Sequence, residues 1–250
     1  MKLYFCTSDE SYLIISKKAM PCILNIETST DLCSVAVTED GACIYEETSG
    51  GECANSSQCL PRYVQDAISF ADSHAIPLDA VAVSMGPGSY TGLRIGVSEA
   101  KGVCFGRDAK LIAVPTLKLL CVPLLLEHEL PEGALLCPMI DARRMEVYMA
   151  VYDRALNEIT PTRAEIVTEN TFSDIPHDTP IFFFGNGARK CCDTIAHPNA
   201  HFVADVVPEA RNMMPLSEMA MARGQFVDVA YFEPFYLKEF VAGKKKAADK

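Results

Sequence analysis

The sequence has no apolar run long enough to cross a membrane, no CxxC pair and no excess of positive charge. The longest apolar stretch, Leu119–Leu126, is interrupted by Pro123, whereas a membrane helix needs about 18 or more consecutive apolar residues. The 11 cysteines lack the paired spacing of a zinc site or a disulfide framework. The net charge of −11 opposes extensive binding to nucleic-acid phosphates by this chain alone. We therefore expect a cytoplasmic protein with reduced cysteines.

The two ends of the chain differ in composition from the rest. Residues 1–19 have neither the apolar core nor the cleavage site of a signal peptide, so we interpret them as a leader or a mis-annotated extension before a start at Met20. The last residues, 241–250, contain the run GKKKAADK and are expected to form a solvated basic tail. Between them we expect an N-terminal lobe over residues 20–115 and a C-terminal lobe over 116–240, with the late helices packing back on the first lobe.

Two passages of the chain resemble each other. "CILNIETSTDLCSVAVTEDGACIYEET" and "LLCPMIDARRMEVYMAVYDRALNEI" each read as a β-meander with an acidic first turn. When Glu27 is laid on Asp141, Ala36 falls on Ala150. Each meander is followed by helical and strand patterns, which predicts an α/β fold of two related lobes with a duplicated β-meander plus helices.

A glycine-rich stretch, "SMGPGSYTGLRIGVSEAKG", lies between a predicted strand and a predicted helix. It fails the P-loop pattern because Leu93, not lysine, follows Gly92, and its glycine spacing fails the dinucleotide pattern. A strand, a tight turn and a helix N-terminus can still favour an anion. Two readings stay open: a purely structural turn, or an anion or nucleotide site formed by Gly86, Gly88, Ser89, Thr91 and Gly92.

The helix after this turn carries small residues at every fourth position. Gly92, Gly96 and Ala100 leave one face with little side-chain bulk, so another helix could approach that face closely. The approaching helix belongs either to the same domain or to a partner. Arg94 and Lys101 on this helix are either solvated charges or contacts at the rim of a partner interface.

These motifs together, with "FFGNGA" and "EPFYLKEF" near the end, resemble the TsaB (YeaZ) family of bacterial tRNA threonylcarbamoyladenosine biosynthesis proteins. The likeness covers about Met20 to Phe240. It implies the two-lobed actin-like and Hsp70-like ATPase (ASKHA) fold. It also implies a non-catalytic, activating subunit that dimerises with the catalytic subunit TsaD and works with the ATPase TsaE. Together they transfer a threonylcarbamoyl group to the adenosine beside the anticodon of tRNAs that read A-initiated codons.

The resemblance also implies where partners bind. The helices expected at Ser56–Ala75 and Thr91–Gly106 would form a bundle with a second copy of the chain or with the catalytic subunit. The expected contact residues are Leu60, Tyr63, Val64, Ala67, Arg94, Val97, Ala100, Lys101 and Cys104. The chain alone is expected to bind no cofactor, ATP or ADP is expected at the joint interface near the glycine turn, and tRNA is expected to bind mainly through the partner.

Two other functions stay open at this point, a nucleotide-dependent small-molecule kinase of the ASKHA superfamily and, less favoured, a glycoprotease-like peptidase. The acidic turns "ETST" and "DARR" lack the glycines that let backbone amides approach phosphates, which opposes the kinase. The HxExH metal motif of the catalytic subunit has no counterpart, since the corresponding helix holds only His74, so we expect no metal site. Asn55 replaces a histidine that is common in the family.

Overall fold

The computed structural model describes residues 21–49 and 56–238. The predicted leader, the basic tail and Asn55 lie outside these residues. In chain order the elements are β1 (Ile23–Glu27), β2 (Ser34–Glu39), β3 (Ala42–Thr48), α1 (Ser56–Ser73), β4 (Ala80–Gly86), α2 (Tyr90–Arg107), β5 (Lys110–Pro115), α3 (Thr116–Glu127), β6 (Leu135–Asp141), β7 (Glu146–Tyr152), β8 (Glu158–Ile166), β9 (Ile181–Phe184), a 3₁₀ turn (Arg189–Cys191), β10 (Ala200–Phe202), a second 3₁₀ turn (Ala210–Met213) and α4 (Met214–Ala222).

The strands form two five-stranded sheets with the same internal order. The first sheet runs β3-β2-β1-β4-β5 and the second runs β10-β9-β6-β7-β8. In each sheet three antiparallel strands form a meander, and two further strands join in parallel on the other side of the first strand. Read from the meander side, β8-β7-β6-β9-β10 repeats the order of the first sheet. The predicted duplication of the meander is therefore confirmed.

The first meander turns through a conventional hairpin. Asp40 and Gly41 both have positive φ, at 54° and 72°, and join β2 to β3 with Glu39 paired to Ala42. An Asp-Gly pair suits a two-residue hairpin turn because both residues tolerate positive φ. The sequence thus explains the geometry of this turn.

Three apolar clusters pack on the two faces of the first sheet and around α3. Leu24 and Ile26 pack with α1 and α2 on one face, whereas Ile23 packs with α3 and α4 on the other. Helix α3 also contributes Leu120 to the core of the second sheet, so it lies between the sheets. The backbone N–H of Ala210 donates to Ser34 Oγ at 2.8 Å, which anchors the late segment on β2. The lobe boundaries at residues 115 and 240 stay predictions.

The described helices and cysteines bear on two of the expectations. None of the helices in the described residues combines the length and apolar character that crossing a bilayer requires. Cys22, Cys104 and Cys137 are buried free thiols, and burial raises the pKa of the Cys104 thiol to about 11. Cys59 is disulfide-bonded, so the expectation of reduced cysteines is wrong at that position.

Candidate functional site

Each sheet places one acidic residue and one glycine pair at the carboxyl ends of its central strands. Glu27 ends β1 and Asp141 ends β6, as the alignment of the two meanders predicts. Gly86 ends β4 with φ +111°, and Gly185 follows β9 with φ +90°. The second glycine pair was not predicted, although "FFGNGA" repeats the G-x-G pattern after an apolar strand. Ligands of open α/β sheets bind at such strand ends, so this region is the candidate site.

Glu27 is fully buried in the first lobe. Its Oε1 accepts the backbone N–H of Ser29 at 2.5 Å, and its Oε2 has no hydrogen-bond partner among the described residues. Burial raises the pKa of Glu27 to about 7, against the opposing effect of the Ser29 backbone N–H that donates to the carboxyl group. Burial thus favours the protonated, uncharged form of the Glu27 carboxyl group.

Asp141 lies in the opposite electrostatic environment. Its Oδ1 accepts hydrogen bonds from Lys190 Nζ and from the backbone N–H of Arg143, the latter at 2.8 Å. Burial works to raise the pKa of Asp141, but the bonds from Lys190 and Arg143 outweigh it and hold this pKa below its usual value. The carboxylate is ionised and already paired. Glu27 and Asp141 occupy equivalent positions in the two sheets, but their pKa values are shifted in opposite directions.

The glycine turn packs directly against the turn that follows Glu27. A Cβ on Gly92 would lie 2.0 Å from the carbonyl oxygen of Thr28, and one on Gly88 would lie 2.4 Å from that of Ser29. A Cβ on Gly96 would lie 2.3 Å from Thr28 Oγ1. Glycine at positions 92 and 96 therefore allows the start of α2 to lie directly against Thr28, in the turn after Glu27. The small-residue face of α2 was expected to pack either within the domain or on a partner. Its contacts with Thr28 show packing within the domain.

Two amides of the glycine turn, those of Ser89 and Gly92, have acceptors inside the chain. Ser89 donates its backbone N–H to the Ser29 carbonyl at 2.7 Å, and the Gly92 N–H donates to Ser89 Oγ at 3.3 Å. Thr28 Oγ1 in turn donates to the Gly92 carbonyl at 2.8 Å. Backbone amides must be unengaged to hold phosphate oxygens. The predicted anion and nucleotide site at Gly86, Gly88, Ser89, Thr91 and Gly92 stays a prediction, and these contacts oppose it.

A C-terminal segment also crosses the mouth of the site. Phe235 donates its N–H to the Met85 carbonyl at 2.7 Å, and its own carbonyl lies 2.6 Å from where a Cβ on Gly86 would be. Tyr236 packs on Tyr90 with ring centroids 4.7 Å apart. Among the described residues, a narrow cleft lies between this segment, the glycine turn and β7. The segment therefore covers part of the approach to the glycine turn, which opposes a nucleotide held by this chain alone.

The structure corrects the facing of the predicted partner contacts. All seven predicted apolar contacts point into the first lobe, because that face of each helix covers the sheet. They are at most 5% exposed and comprise Leu60, Tyr63, Val64, Ala67, Val97, Ala100 and Cys104. Arg94 is exposed and lies 5.6 Å from the centroid of the Tyr90 ring. Lys101 Nζ donates to the Ala230 carbonyl at 3.1 Å, so this charge serves a contact within the chain.

The outward face of α2 carries different residues, here called the outer groove. Phe105 projects from this face and is 89% exposed. Open space surrounds the Cα atoms of Gly102 and Gly106, where an added Cβ would meet nothing within 4 Å. The groove itself is lined by Ile68, Ser98, Glu99, Gly102, Val103, Gly106 and Arg107. The sequence contains a pattern for this outward face, since Ser98, Gly102 and Gly106 recur at every fourth position. The inward-facing Gly92, Gly96 and Ala100 have the same spacing, so spacing alone does not distinguish the two faces.

An ion pair closes one end of the outer groove. Arg107 donates from both terminal nitrogens to the two oxygens of Asp72, at 2.6 and 2.7 Å. This bidentate contact joins the C-terminal ends of α1 and α2, and bidentate geometry holds a guanidinium in a fixed orientation. The two helices therefore present one continuous surface.

The histidines do not assemble a metal or protease site. No group of three or more His, Cys, Asp or Glu residues that could hold a metal occurs among the residues the structure describes. In the same part of the chain, the serine–histidine contact is that of Ser73 Oγ with His74 Nδ1 at 3.1 Å. This pair lies exposed at the end of α1, and the other polar contact of the His74 ring is to the Phe70 carbonyl. It lacks the carboxylate that orients a catalytic histidine.

Comparisons with known proteins agree with this architecture. Residues 53–178 match the sequence model of the family described as "TsaD: tRNA N6-adenosine threonylcarbamoyltransferase". The solved structure of YeaZ from Pseudomonas aeruginosa superposes with a TM-score of 0.73 at 25% identity, over 87% of this chain and 100% of that chain. The predicted two-lobed actin-like fold is thereby confirmed.

Curated relatives cover nearly the whole chain. The tRNA threonylcarbamoyladenosine biosynthesis protein TsaB of Escherichia coli (strain K12) is 31% identical over 89% of this chain and 97% of its own length. The protein of the same name from Haemophilus influenzae is 27% identical over 89% of this chain and 96% of its own length. With the same fold and this extent of identity, the chain belongs to the family of the tRNA threonylcarbamoyladenosine biosynthesis protein TsaB.

Proposed function

We propose that this chain acts in the biosynthesis of threonylcarbamoyladenosine in tRNA as a non-catalytic, activating subunit of a threonylcarbamoyltransferase complex. Membership of the TsaB family supports the pathway. The observation that carries the subunit role is the outer groove, where Phe105 stands 89% exposed beside two glycines with open space around them. Large exposed aromatic residues beside a groove are typical of contact sites between proteins.

The non-catalytic part of the proposal depends on the state of the two strand-end acids. Glu27 is buried with a pKa of about 7, and Asp141 is paired with Lys190. Neither side chain offers the free carboxylate that would hold a metal–nucleotide complex. The chain therefore acts by holding a catalytic partner in its competent arrangement, that is, by shifting the population of that partner's conformations.

The partner at the outer groove is a TsaD-like catalytic subunit, and a second copy of this chain can use the same face in a homodimer. A TsaE-like ATPase joins this pair in the cytoplasm, and tRNA binds mainly through the catalytic subunit. ATP or ADP at the joint interface stays a prediction. Because the Ser89 and Gly92 amides are engaged within the chain, such a nucleotide site needs groups from the partner.

The test is a measurement of threonylcarbamoyladenosine in total tRNA by nucleoside mass spectrometry. Cells depleted of this chain are complemented with the wild type, with Phe105→Asp, or with Leu126→Asp. Leu126 is a matched control because it is also a large exposed apolar residue, 70% exposed, but on α3. A buried charge at the centre of an interface costs about 2 kcal/mol or more, roughly 30-fold in Kd. We expect the wild type and Leu126→Asp to restore the nucleoside and Phe105→Asp to restore little.

Two results would contradict the proposal in different ways. An unchanged amount of the modified nucleoside after depletion would remove the pathway assignment. Restoration by Phe105→Asp equal to the wild type, with an unchanged Kd for the purified catalytic subunit, would remove the outer groove as the docking surface. Hydrolysis of ATP by the isolated chain, abolished by Glu27→Gln or Asp141→Asn, would instead support the kinase.

A further inference from the structure

The turn between β6 and β7 presents two arginines from a strained backbone. Arg143 and Arg144 have φ of 73° and 54°, in the left-handed region that costs residues other than glycine, asparagine and aspartate about 1–2 kcal/mol each. When Glu27 is laid on Asp141, the corresponding residues of the first sheet are Ser29 and Thr30, and neither has a positive φ. Strained residues of this kind concentrate at functional sites. The turn thus keeps arginine where its backbone favours other residues.

The charges around this turn leave its guanidinium groups available. Arg143, Arg144 and Arg189 are exposed, and within residues 21–49 and 56–238 none of them forms an ion pair. The carboxylates at the base of the turn are already neutralised, Asp141 by Lys190 and Glu146 by Lys238. We call the three exposed residues Arg143, Arg144 and Arg189 the arginine cluster.

Lys190 and Lys238 connect the cluster to neighbouring segments. Lys190 follows Arg189 in the 3₁₀ turn and donates to Asp141 Oδ1 and to the Glu146 carbonyl, so it fixes that turn beside the base of the hairpin. Lys238 pairs with Glu146. Within the described residues, the three exposed arginines, Lys190 and Lys238 thus lie around two carboxylates, in a chain whose net charge is −11.

We propose that the arginine cluster binds the phosphate backbone of the tRNA while this chain is assembled with its catalytic partner. The inference rests on the proposed function, which makes tRNA the substrate of the complex. Guanidinium groups match phosphate oxygens in bidentate geometry, and within the described residues these arginines form no ion pair that phosphate binding would first have to break. Three such contacts are too few for an acidic chain to bind RNA alone. They add a local contact to those of the catalytic subunit.

The experiment compares tRNA binding by the assembled pair of this chain and its catalytic subunit. An unmodified tRNA transcript is titrated against pairs that carry the wild type, Arg143→Asn with Arg144→Gly, or Arg189→Gln. Asparagine and glycine suit positive φ, so the first variant removes both charges without adding strain. The matched control is Arg154→Gln with Arg223→Gln. Both are exposed arginines, and Arg154 lies beyond the opposite end of β7.

We expect the hairpin variant to bind tRNA about tenfold more weakly than the wild type near 100 mM salt, with the slope of log K against log salt reduced by about one to two. Arg189→Gln should reduce the same slope by about one, and the control pair should match the wild type. Assembly with the catalytic subunit, measured by gel filtration, should be unchanged in every variant.

Two results would overturn the proposal. Equal tRNA affinity and salt dependence in the wild type and both cluster variants would exclude a phosphate contact. Loss of assembly in the cluster variants alone would assign the arginines to an acidic protein surface instead. Failure of the proposed function is distinguishable, because a depletion that leaves the modified nucleoside unchanged removes the pathway, whereas arginine-dependent tRNA binding would still support this contact.

Discussion

The carbonyl oxygen of Ser29 accepts the backbone N–H of Ser89 at 2.7 Å. This hydrogen bond joins the turn after the buried Glu27 to the first turn of α2, the helix that carries Phe105. The contact requires the two backbones to approach closely, which glycine alone permits at Gly88 and Gly92. The acidic turn therefore packs directly on the start of the helix that we assign to partner binding.

Gly92→Ala should destabilise the protein by about 2–3 kcal/mol, at the upper end of overpacking effects. The new Cβ would lie 2.0 Å from the Thr28 carbonyl oxygen, and neither backbone can move without disrupting the turn. Gly102→Ala is the matched control in the same helix, since its Cβ would meet nothing within 4 Å. There, alanine should stabilise the helix by about 0.5–1 kcal/mol. Urea unfolding measures both changes.

Equal effects of the two substitutions would contradict this account. Destabilisation by both would mean that α2 tolerates no added methyl group anywhere. Stabilisation by both would mean that the acidic turn and the glycine turn separate in solution. The close approach of Thr28 to Gly92 predicts that Gly92→Ala lowers the free energy of unfolding and that Gly102→Ala raises it.

Glu27→Gln should change how stability depends on pH. Burial raises the pKa of Glu27 from 4.5 in the unfolded chain to about 7 in the folded one. Between these values the folded state holds a proton that the unfolded state has released, so the contribution of Glu27 to stability falls as pH rises from about 4.5 through about 7. The shift corresponds to about 3 kcal/mol, and glutamine removes it.

The measurement for Glu27 is the difference in unfolding free energy between the wild type and Glu27→Gln at pH 5 and at pH 8. The pKa of Asp141 is lowered and contributes with the opposite sign, but this contribution is common to both proteins and cancels in the difference. We expect the wild type to lose about 2.5 kcal/mol relative to the variant between the two pH values, because part of the full effect lies below pH 5. A difference independent of pH would show that Glu27 is ionised in the folded state throughout.

The sequence was sufficient to predict the fold but not the facing of the helices. Apolar periodicity and the two acidic turns predicted the duplicated meanders, because these signals are local. The stripes of α2 could not be assigned to an inner and an outer face from spacing alone, since Gly92 and Gly102 both lie on four-residue repeats. What distinguishes them is Thr28, which is distant in sequence and packs only on the first stripe. The engaged amides of Ser89 and Gly92 were unpredictable for the same reason.

Arg143→Asn with Arg144→Gly should raise the unfolding free energy by about 1 kcal/mol. The native φ values of 73° and 54° disfavour arginine, whereas asparagine and glycine adopt them readily, and the larger unfolded-state entropy of glycine offsets part of the gain. Arg154→Gln should leave stability unchanged, because Arg154 is exposed with φ outside the left-handed region. Urea unfolding provides the measurement. A loss of stability in the double variant would mean that the arginine side chains themselves stabilise the turn.

Tyr236→Ala should release the C-terminal segment from the glycine turn without unfolding the lobe. Tyr236 packs on Tyr90 at 4.7 Å between ring centroids, and such a pair contributes about 1 kcal/mol, which corresponds to about fivefold faster local opening. The Phe235 amide, bonded to the Met85 carbonyl, reports this opening by hydrogen exchange. Tyr231→Ala is the control because Tyr231 is 85% exposed. Equal exchange rates at Phe235 in the wild type and both variants would mean that the backbone bond and the Lys238–Glu146 pair hold the segment without the ring contact.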